Sequence, residues 1–226
     1  PGELSDAKRV ARTLGIKHLI VKFNELELPG FAENPPNRCY LCKKARFKLL
    51  RRIAEERGFS TVADGTNMDD VGEYRPGLQA LKEEEVYSPL LENQLGKKDS
   101  RMLARFLRLP VMDKPADTCL ATRFPYHHRM DLAGLRRVRL AEAYLKRRWG
   151  LKLVRVRNHG DLARIEIESR ELPSVLREES LREAAGRLRR LGFRYVTLDL
   201  SGYRRGVFDE NLKGRRLEGG RGKSHA

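Results

Sequence analysis

The chain is short of the residues that most often announce a function. It has three cysteines and one tryptophan in 226 residues, and aromatic residues make up 7%. No run approaches the roughly 20 apolar residues a membrane span needs. So few thiols exclude a disulfide scaffold, and a lone C-x-x-C fits a reducing cytoplasm better than a secretory compartment. The N-terminus, Pro1–Asp6, is polar and lacks the apolar stretch of a signal peptide. A second C-x-x-C and an H-x-x-x-H are both missing, so zinc would need a fourth ligand from elsewhere, such as His159.

Charge is what the chain has in excess. Lys and Arg number 47 against 31 Asp and Glu, a formal net charge of +16, and charged residues make up 35% of the chain. Such a balance suits a polyanionic or phosphorylated partner. It equally describes a solvated basic surface with glutamate interspersed, as in thermophile proteins. A hydrophobic fraction of 40% suffices for one large domain or two ordinary ones.

Two halves meet near residue 128. In the first, residues 1–128, Ser5 is placed to cap a helix running to Leu14, with Gly15 as its stop. His18–Phe23 reads as a buried strand, and the turn-rich Pro29–Asn37 precedes a helix from Tyr40 to Arg57 ended by Gly58. Thr61–Ala63 and Val86–Leu91 read as further strands, with helices expected at Pro76–Glu85 and Lys97–Leu107. Strands separated by helices predict an α/β fold with a Rossmann-like parallel sheet, whose ligands bind at the carboxyl edge. Residues 129–211 predict a smaller α+β domain. Leu132, Leu135, Val138, Leu145 and Trp149 fall on one helical face, expected to be core. Leu151–Arg157 and Leu162–Ile167 form a hairpin through Asn158–Asp161, and a helical region over Leu172–Leu191 leads to a strand at Arg194–Leu200. The glycine-rich basic tail, residues 212–226, is expected to be disordered.

Chemistry begins with the cysteines. Cys39 and Cys42 sit at a helix start beside Arg38, Lys43 and Lys44, where the helix dipole and cations favour thiolate. Cys119 lies in a loop bracketed by Pro115 and Pro125. A disulfide uses two thiols and a closed structural zinc site uses four ligands. Three converging thiolates would leave one coordination position open, and in an iron–sulfur cluster that corner is where chemistry occurs. A redox pair, half a zinc site and a small buried Cys119 are the alternatives. A second constellation is Asp64-Gly65-Thr66-Asn67 with Asp70, placed after a strand to hold a nucleotide or Mg²⁺, or else an ordinary acidic turn. The third is Arg155 and Arg157, on one strand face at a spacing of about 6.6 Å. Paired guanidinium forks suit a phosphate or carboxylate, and two solvated edge arginines are the alternative.

These segments occur together in a fixed order. They are Asn34–Lys44, Ala63–Asp70, Tyr74–Leu78, Asp113–Ala116, Cys119–Tyr126 and Asn158–Glu166. In this order they resemble the LarE family, ATP-dependent sulfur transferases of the PP-loop ATP-pyrophosphatase superfamily, from about Ser5 to Tyr203. The resemblance implies a PP-loop domain and conversion of pyridinium-3,5-biscarboxylate mononucleotide to its bis-thiocarboxylate, a precursor of the nickel-pincer cofactor. ATP, Mg²⁺ and a small-molecule substrate are the implied partners, with homo-oligomers common in the family. Members with a single site cysteine, at the position matching Cys119, sacrifice its sulfur. Members with three, matching Cys39, Cys42 and Cys119, hold a 4Fe–4S cluster, and this chain has that pattern. The resemblance assigns Asp64, Gly65, Thr66, Asn67 and Asp70 to the nucleotide, and Arg155, Arg157, Arg123, Tyr40 and Arg204 to the substrate.

One departure stands out. The Ser-Gly-Gly-x-Asp-Ser loop that cradles pyrophosphate is absent from these residues. These residues alone are therefore expected not to hydrolyse ATP, the N-terminal βαβ portion being missing through truncation, omission or degeneration. Two rival functions follow from the same features. A tRNA thiolase also combines a PP-loop with three cysteines, and +16 suits RNA. Against it, the chain offers no separate RNA-binding module and few aromatics for stacking. A non-catalytic protein with a structural metal is the other rival.

Overall fold

The computed structural model describes residues 2–71, 76–114, 118–204 and 206–209. The chain divides into two compact units, Pro1–Asp117 and Thr118–Ala226. Cys39 and Cys42 belong to the first and Cys119 to the second.

In the first unit α1 runs Gly2–Thr13 and α2 Arg38–Glu55, followed by α3 (Pro76–Glu83), the single turn α4 (Pro89–Glu92) and α5 (Lys97–Phe106). Short 3₁₀ turns occupy Glu25–Glu27 and Met68–Asp70. Gly15 and Gly58, at φ of 64° and 74°, turn the chain out of α1 and α2 as their composition predicts. Ser5 lies inside α1 rather than at its cap. The expected strands fare worse. His18–Phe23 forms no strand or helix, with Leu19 and Ile20 about half exposed. Thr61–Ala63 and Val86–Leu91 shrink to one parallel bridge, Ala63 to Tyr87. Its two hydrogen bonds run from Asp64 N–H to the Tyr87 carbonyl and from Tyr87 N–H to the Val62 carbonyl, both 2.9 Å. Ser88 and Pro89 then open α4, because proline at a helix start supplies the fixed φ and no ladder donor. A strand is a paired state, so apolar runs without a ladder partner remain coil. Among the described residues this unit has no sheet beyond that bridge.

The second unit is a sheet covered by helices. A 3₁₀ turn at Leu120–Arg123 precedes α6 (Leu132–Trp149) and the hairpin β1 (Val154–His159) and β2 (Leu162–Ile167). A 3₁₀ turn at Ser169–Glu171, the short α7 (Leu172–Val175), α8 (Glu178–Arg190) and β3 (Tyr195–Leu198) follow. The sheet order is β1-β2-β3, with β1 antiparallel to β2 and β3 parallel to it across the α8 connection. The tail expected to be disordered lies outside the described residues.

Local chemistry fixes these elements. The Asp131 carboxylate caps α6 by accepting the Gly134 N–H at 2.6 Å, and Gly150 closes the helix at φ 69°. Alternation then sorts the hairpin. Val154, Val156, Ile165 and Ile167 are almost wholly buried, while Arg155, Arg157 and Glu166 occupy the other face. Helix α6 packs on β1 and α8 on β3. Val138 and Leu145 are fully buried on α6, each worth about 1.5–3 kcal/mol of transfer free energy. Leu132, expected on the same face, is 74% exposed, because it stands in the first turn beyond the core. The result is a mixed α/β molecule in which, among the described residues, the sheet is small, mixed and in the second unit.

Candidate functional site

Helix α2 opens at the buried Arg38, and its first turn presents Cys39 and Cys42 on one side, the first exposed and the second half-buried. Lys43 follows them and reaches Asp64 at 3.5 Å. Helix α3 crosses α2 here at Gly77. A Cβ on Gly77 would lie 2.9 Å from the Lys43 side chain and 3.5 Å from the Cys39 carbonyl oxygen, so any larger residue would displace Lys43. Tyr40 points to a different cluster. Its hydroxyl donates to Glu83 at 2.7 Å and accepts from Lys44 at 2.8 Å, while Lys44 pairs with Glu83 at 2.6 Å. Lys44, then Tyr40 and Gln79, hold the exposed Glu83 carboxyl down to about 2.

The Asp64–Asp70 loop binds mainly itself. The Asp64 carboxylate accepts from Thr66 N–H (3.1 Å), Thr66 Oγ1 (2.6 Å) and Ser88 Oγ (2.7 Å). Burial pushes this carboxyl up, but those hydrogen bonds and Lys43 outweigh it and hold it below its ordinary value. Asn67 and Asp70 make a reciprocal capping box around the 3₁₀ turn. Asp69 accepts the Lys97 N–H at 2.5 Å, tying the loop to the start of α5. Thr66 and Asn67 are buried, whereas Gly65 faces open space. The expected nucleotide residues thus form one ordered loop whose open edge is Gly65, and its link to the thiol pair is Lys43.

In the second unit Arg123, Glu142, Arg155, Arg157 and Glu166 are buried. Arg157 donates to one Glu166 oxygen through Nε (2.9 Å) and Nη2 (2.7 Å), and to the Thr122 carbonyl through Nη1 (2.8 Å). Arg164 takes the other Glu166 oxygen at 3.0 Å. Phe208 covers Arg157 and Arg164 at 5.3 and 5.9 Å, and Tyr203 lies 6.0 Å from Arg155. Arg204, next in sequence, is exposed. Arg155 and Arg157 therefore share a face, as alternation predicts, but that face is enclosed rather than solvated. Arg123, expected at the substrate, is fully enclosed and pairs with Glu142. Cys119 is exposed on the loop that Arg123 and Arg157 brace. Burial, then Arg164, His128 and Arg157, push the His159 imidazole below its ordinary value.

The three cysteines are divided between the units, and among the described residues no group of three His, Cys, Asp or Glu side chains is arranged to hold a metal ion. A cavity of about 560 Å³ beside the start of α6, lined by His127, His128, Arg129 and Arg137 among others, includes none of the expected site residues. Sequence reasoning missed Glu142, Glu166 and Ser88. Glu166 had a signal, since the hairpin register sets it opposite Arg155. Glu142 had one too, as an acidic residue on the α6 core face next to Val138 and Leu145. Ser88 had none.

No family model matches the chain. Individual relatives do. It is 44% identical over 212 residues to an uncharacterized protein of Synechocystis, covering 94% of this chain and 79% of the relative. An uncharacterized protein of Methanocaldococcus jannaschii is 35% identical over 179 residues, 79% of this chain and 69% of its own length. The pyridinium-3,5-bisthiocarboxylic acid mononucleotide synthase of Lactiplantibacillus plantarum is 36% identical over 211 residues, 93% of this chain and 75% of the synthase. An identity of 36% over that share of both chains shows a common family. The chain belongs to the LarE family.

Proposed function

We propose that this protein is an ATP-dependent sulfur transferase that converts the carboxylates of pyridinium-3,5-biscarboxylate mononucleotide to thiocarboxylates for nickel-pincer cofactor biosynthesis. The observation that carries the reading is Cys119, exposed on a braced loop beside buried Arg157, in a chain 36% identical to the synthase.

A carboxylate is a poor acyl donor because its leaving group would be oxide. In the proposed reaction a substrate carboxylate oxygen bonds to the α-phosphorus of ATP and the bond to pyrophosphate breaks. Sulfur then bonds to the acyl carbon of the adenylate and the electron pair leaves with AMP. The Asp64–Asp70 loop takes the nucleotide and Mg²⁺ at its Gly65 edge, the cation offsetting phosphate charge. Arg155 and Arg157 take the substrate phosphate, with Glu166 holding Arg157 in place beforehand. Tyr40 and Arg204 complete the substrate contacts. Cys39 and Cys42, adjacent on one turn of α2, suit two ligands of a cluster, with Cys119 as the third. A 4Fe–4S cluster bound there would supply a transferable sulfide at the iron without a protein ligand.

Mass spectrometry of Cys119 after turnover of the full-length gene product with ATP, Mg²⁺ and the substrate tests the reading. Thiocarboxylate formed with Cys119 unchanged fits cluster-borne sulfur, and loss of the mass of H₂S from Cys119 means its own sulfur was given. No thiocarboxylate at all overturns the function. Metal and acid-labile sulfide analysis after anaerobic purification tests the cluster separately, and zinc without sulfide rules it out. Pyrophosphate release by these 226 residues alone would show that a Ser-Gly-Gly-x-Asp-Ser loop is dispensable.

A further inference from the structure

We infer that Glu142 is a positioning residue: through Arg123 it sets the loop that carries Cys119. The inference rests on the sulfur-transfer reading for its consequence, but its geometry stands by itself. Glu142 lies on the core face of α6 among Val138, Ala141 and Leu145, all fully buried, where an apolar side chain would pack. Its Oε1 accepts from Arg123 Nε at 2.7 Å and its Oε2 from Arg123 Nη2 at 3.1 Å. Oε1 also accepts the Val156 N–H at 3.0 Å, a donor of edge strand β1 that the sheet does not use.

Held in that way, Arg123 turns its remaining nitrogen to the thiol loop. Nη1 lies 2.6 Å from Thr118 Oγ1, 3.2 Å from the Thr118 carbonyl, 3.3 Å from the Cys119 carbonyl and 2.8 Å from Thr122 Oγ1. The loop is a single 3₁₀ turn. Its internal ties include Thr122 N–H and Thr122 Oγ1 to the Cys119 carbonyl, at 3.0 and 2.7 Å, and Thr118 Oγ1 at 3.4 Å from Thr122 Oγ1. Cys119 is meanwhile exposed, so packing of its own side chain does not fix it. A buried ion pair stabilises little beyond what apolar residues of similar volume would give. The pair here instead fixes geometry, joining α6, the edge of the arginine strand and the Cys119 loop through one carboxylate. A group that must meet an acyl carbon needs such support, because a misplacement of about 1 Å can cost on the order of a hundredfold in rate.

Two variants test this. Glu142→Gln keeps the shape and removes the charge. The double replacement Glu142→Leu with Arg123→Met substitutes apolar packing for the pair and releases the loop, at the cost of the acceptor for the Val156 N–H. Hydrogen exchange by mass spectrometry over residues 118–122, and kcat and KM for thiocarboxylate formation, are the readouts. In the double replacement exchange is expected to rise at least about tenfold in that segment, and elsewhere only at the Val156 amide that loses its acceptor. Turnover is expected to fall at least about tenfold in kcat, with KM within about twofold. Unchanged exchange in the double replacement overturns the inference, and so does faster exchange with unchanged kcat. If the wild-type protein forms no thiocarboxylate, the proposed function falls, and exchange alone still decides whether Glu142 sets the loop.

Discussion

The two units solve the problem of charge in opposite ways. In the second, a small sheet buries Val154, Val156, Ile165 and Ile167 against α6 and α8, and that core lets arginines and glutamates be enclosed with their partners. Arg123 meets Glu142 and Arg157 meets Glu166, both pairs shielded from solvent, and the half-buried Arg164 takes the other Glu166 oxygen. In the first unit the buried apolar residues among those described are Ala11, Phe31, Ala32, Ala80 and Leu81. Its ion pairs, such as Lys44–Glu83 and Arg51–Glu85, lie at the surface. Helix α5 buries no residue, and Met102 and Phe106 are exposed on it. The lesson is that a side chain's charge says little about its role. An exposed pair is screened and weakly coupled, whereas an enclosed pair dictates where its neighbours sit.

The sharpest way to break this comparison is to remove Glu166. Glu166→Ala leaves the enclosed Arg157 without its carboxylate, while the half-buried Arg164 keeps Asp199 at 3.6 Å, and we expect a loss of about 3–5 kcal/mol by denaturant titration. A loss near zero would mean that the buried charges are not the organising element of this unit. Leu145→Ala comes next, at about 2–5 kcal/mol, since the side chain is fully buried. Its counterpart in the first unit, Phe106→Ala, should stay within about 0.5 kcal/mol, because Phe106 is 83% exposed. Equal losses in the two variants would erase the contrast. Asp64→Ala should cost about 1–3 kcal/mol, because the buried Thr66 and the Ser88 hydroxyl lose their shared acceptor. That loss should appear as faster hydrogen exchange around Tyr87, and exchange unchanged there would mean that the loop is held by other contacts.

Helices were legible in the sequence wherever a stop signal was local. Gly58 ends α2 and Gly150 ends α6 because both adopt a positive φ that other residues avoid. The hairpin was legible from the alternation of Val154 and Val156 with Arg155 and Arg157, and its register follows from a two-residue turn. The strands of the first half were not. His18–Phe23 has the composition of a strand, but composition cannot supply the partner that pairing requires. Of the candidate site, the thiol pair at a helix start and the same-face arginines were readable, each from a spacing. The carboxylates that hold the arginines were harder, since Glu142 acts on Arg123 from 19 residues away and across an element boundary. Tyr40 shows the converse. Its spacing says nothing of Glu83, 43 residues on, which fixes its hydroxyl.

Acid should separate the units by a smaller effect, whose sign follows from where each group binds protons. In the second unit, burial and then Arg164, His128 and Arg157 keep the His159 pKa below its ordinary value of 6.5. Its Nε2 is buried without a hydrogen-bond partner, and the ring meets Phe208 at 5.9 Å. The folded chain therefore binds fewer protons at His159 than the unfolded chain does. The stability this provides is full above the ordinary value and declines as the pH falls below it. In the first unit, burial of Asp64 is outweighed by its hydrogen bonds and Lys43, and Glu83 sits at about 2. Their contributions are present above their ordinary values of 3.8 and 4.5, and are lost only as the pH falls toward the lower folded values. Between about pH 7 and pH 5.5 the β1–β2 amides should lose protection, after correction for intrinsic exchange, while α2 and α3 do not. His159→Gln should remove that dependence. A slope that survives in this variant would place the acid sensitivity of the second unit on another group and leave the enclosed arginines, not the histidine, as what distinguishes it.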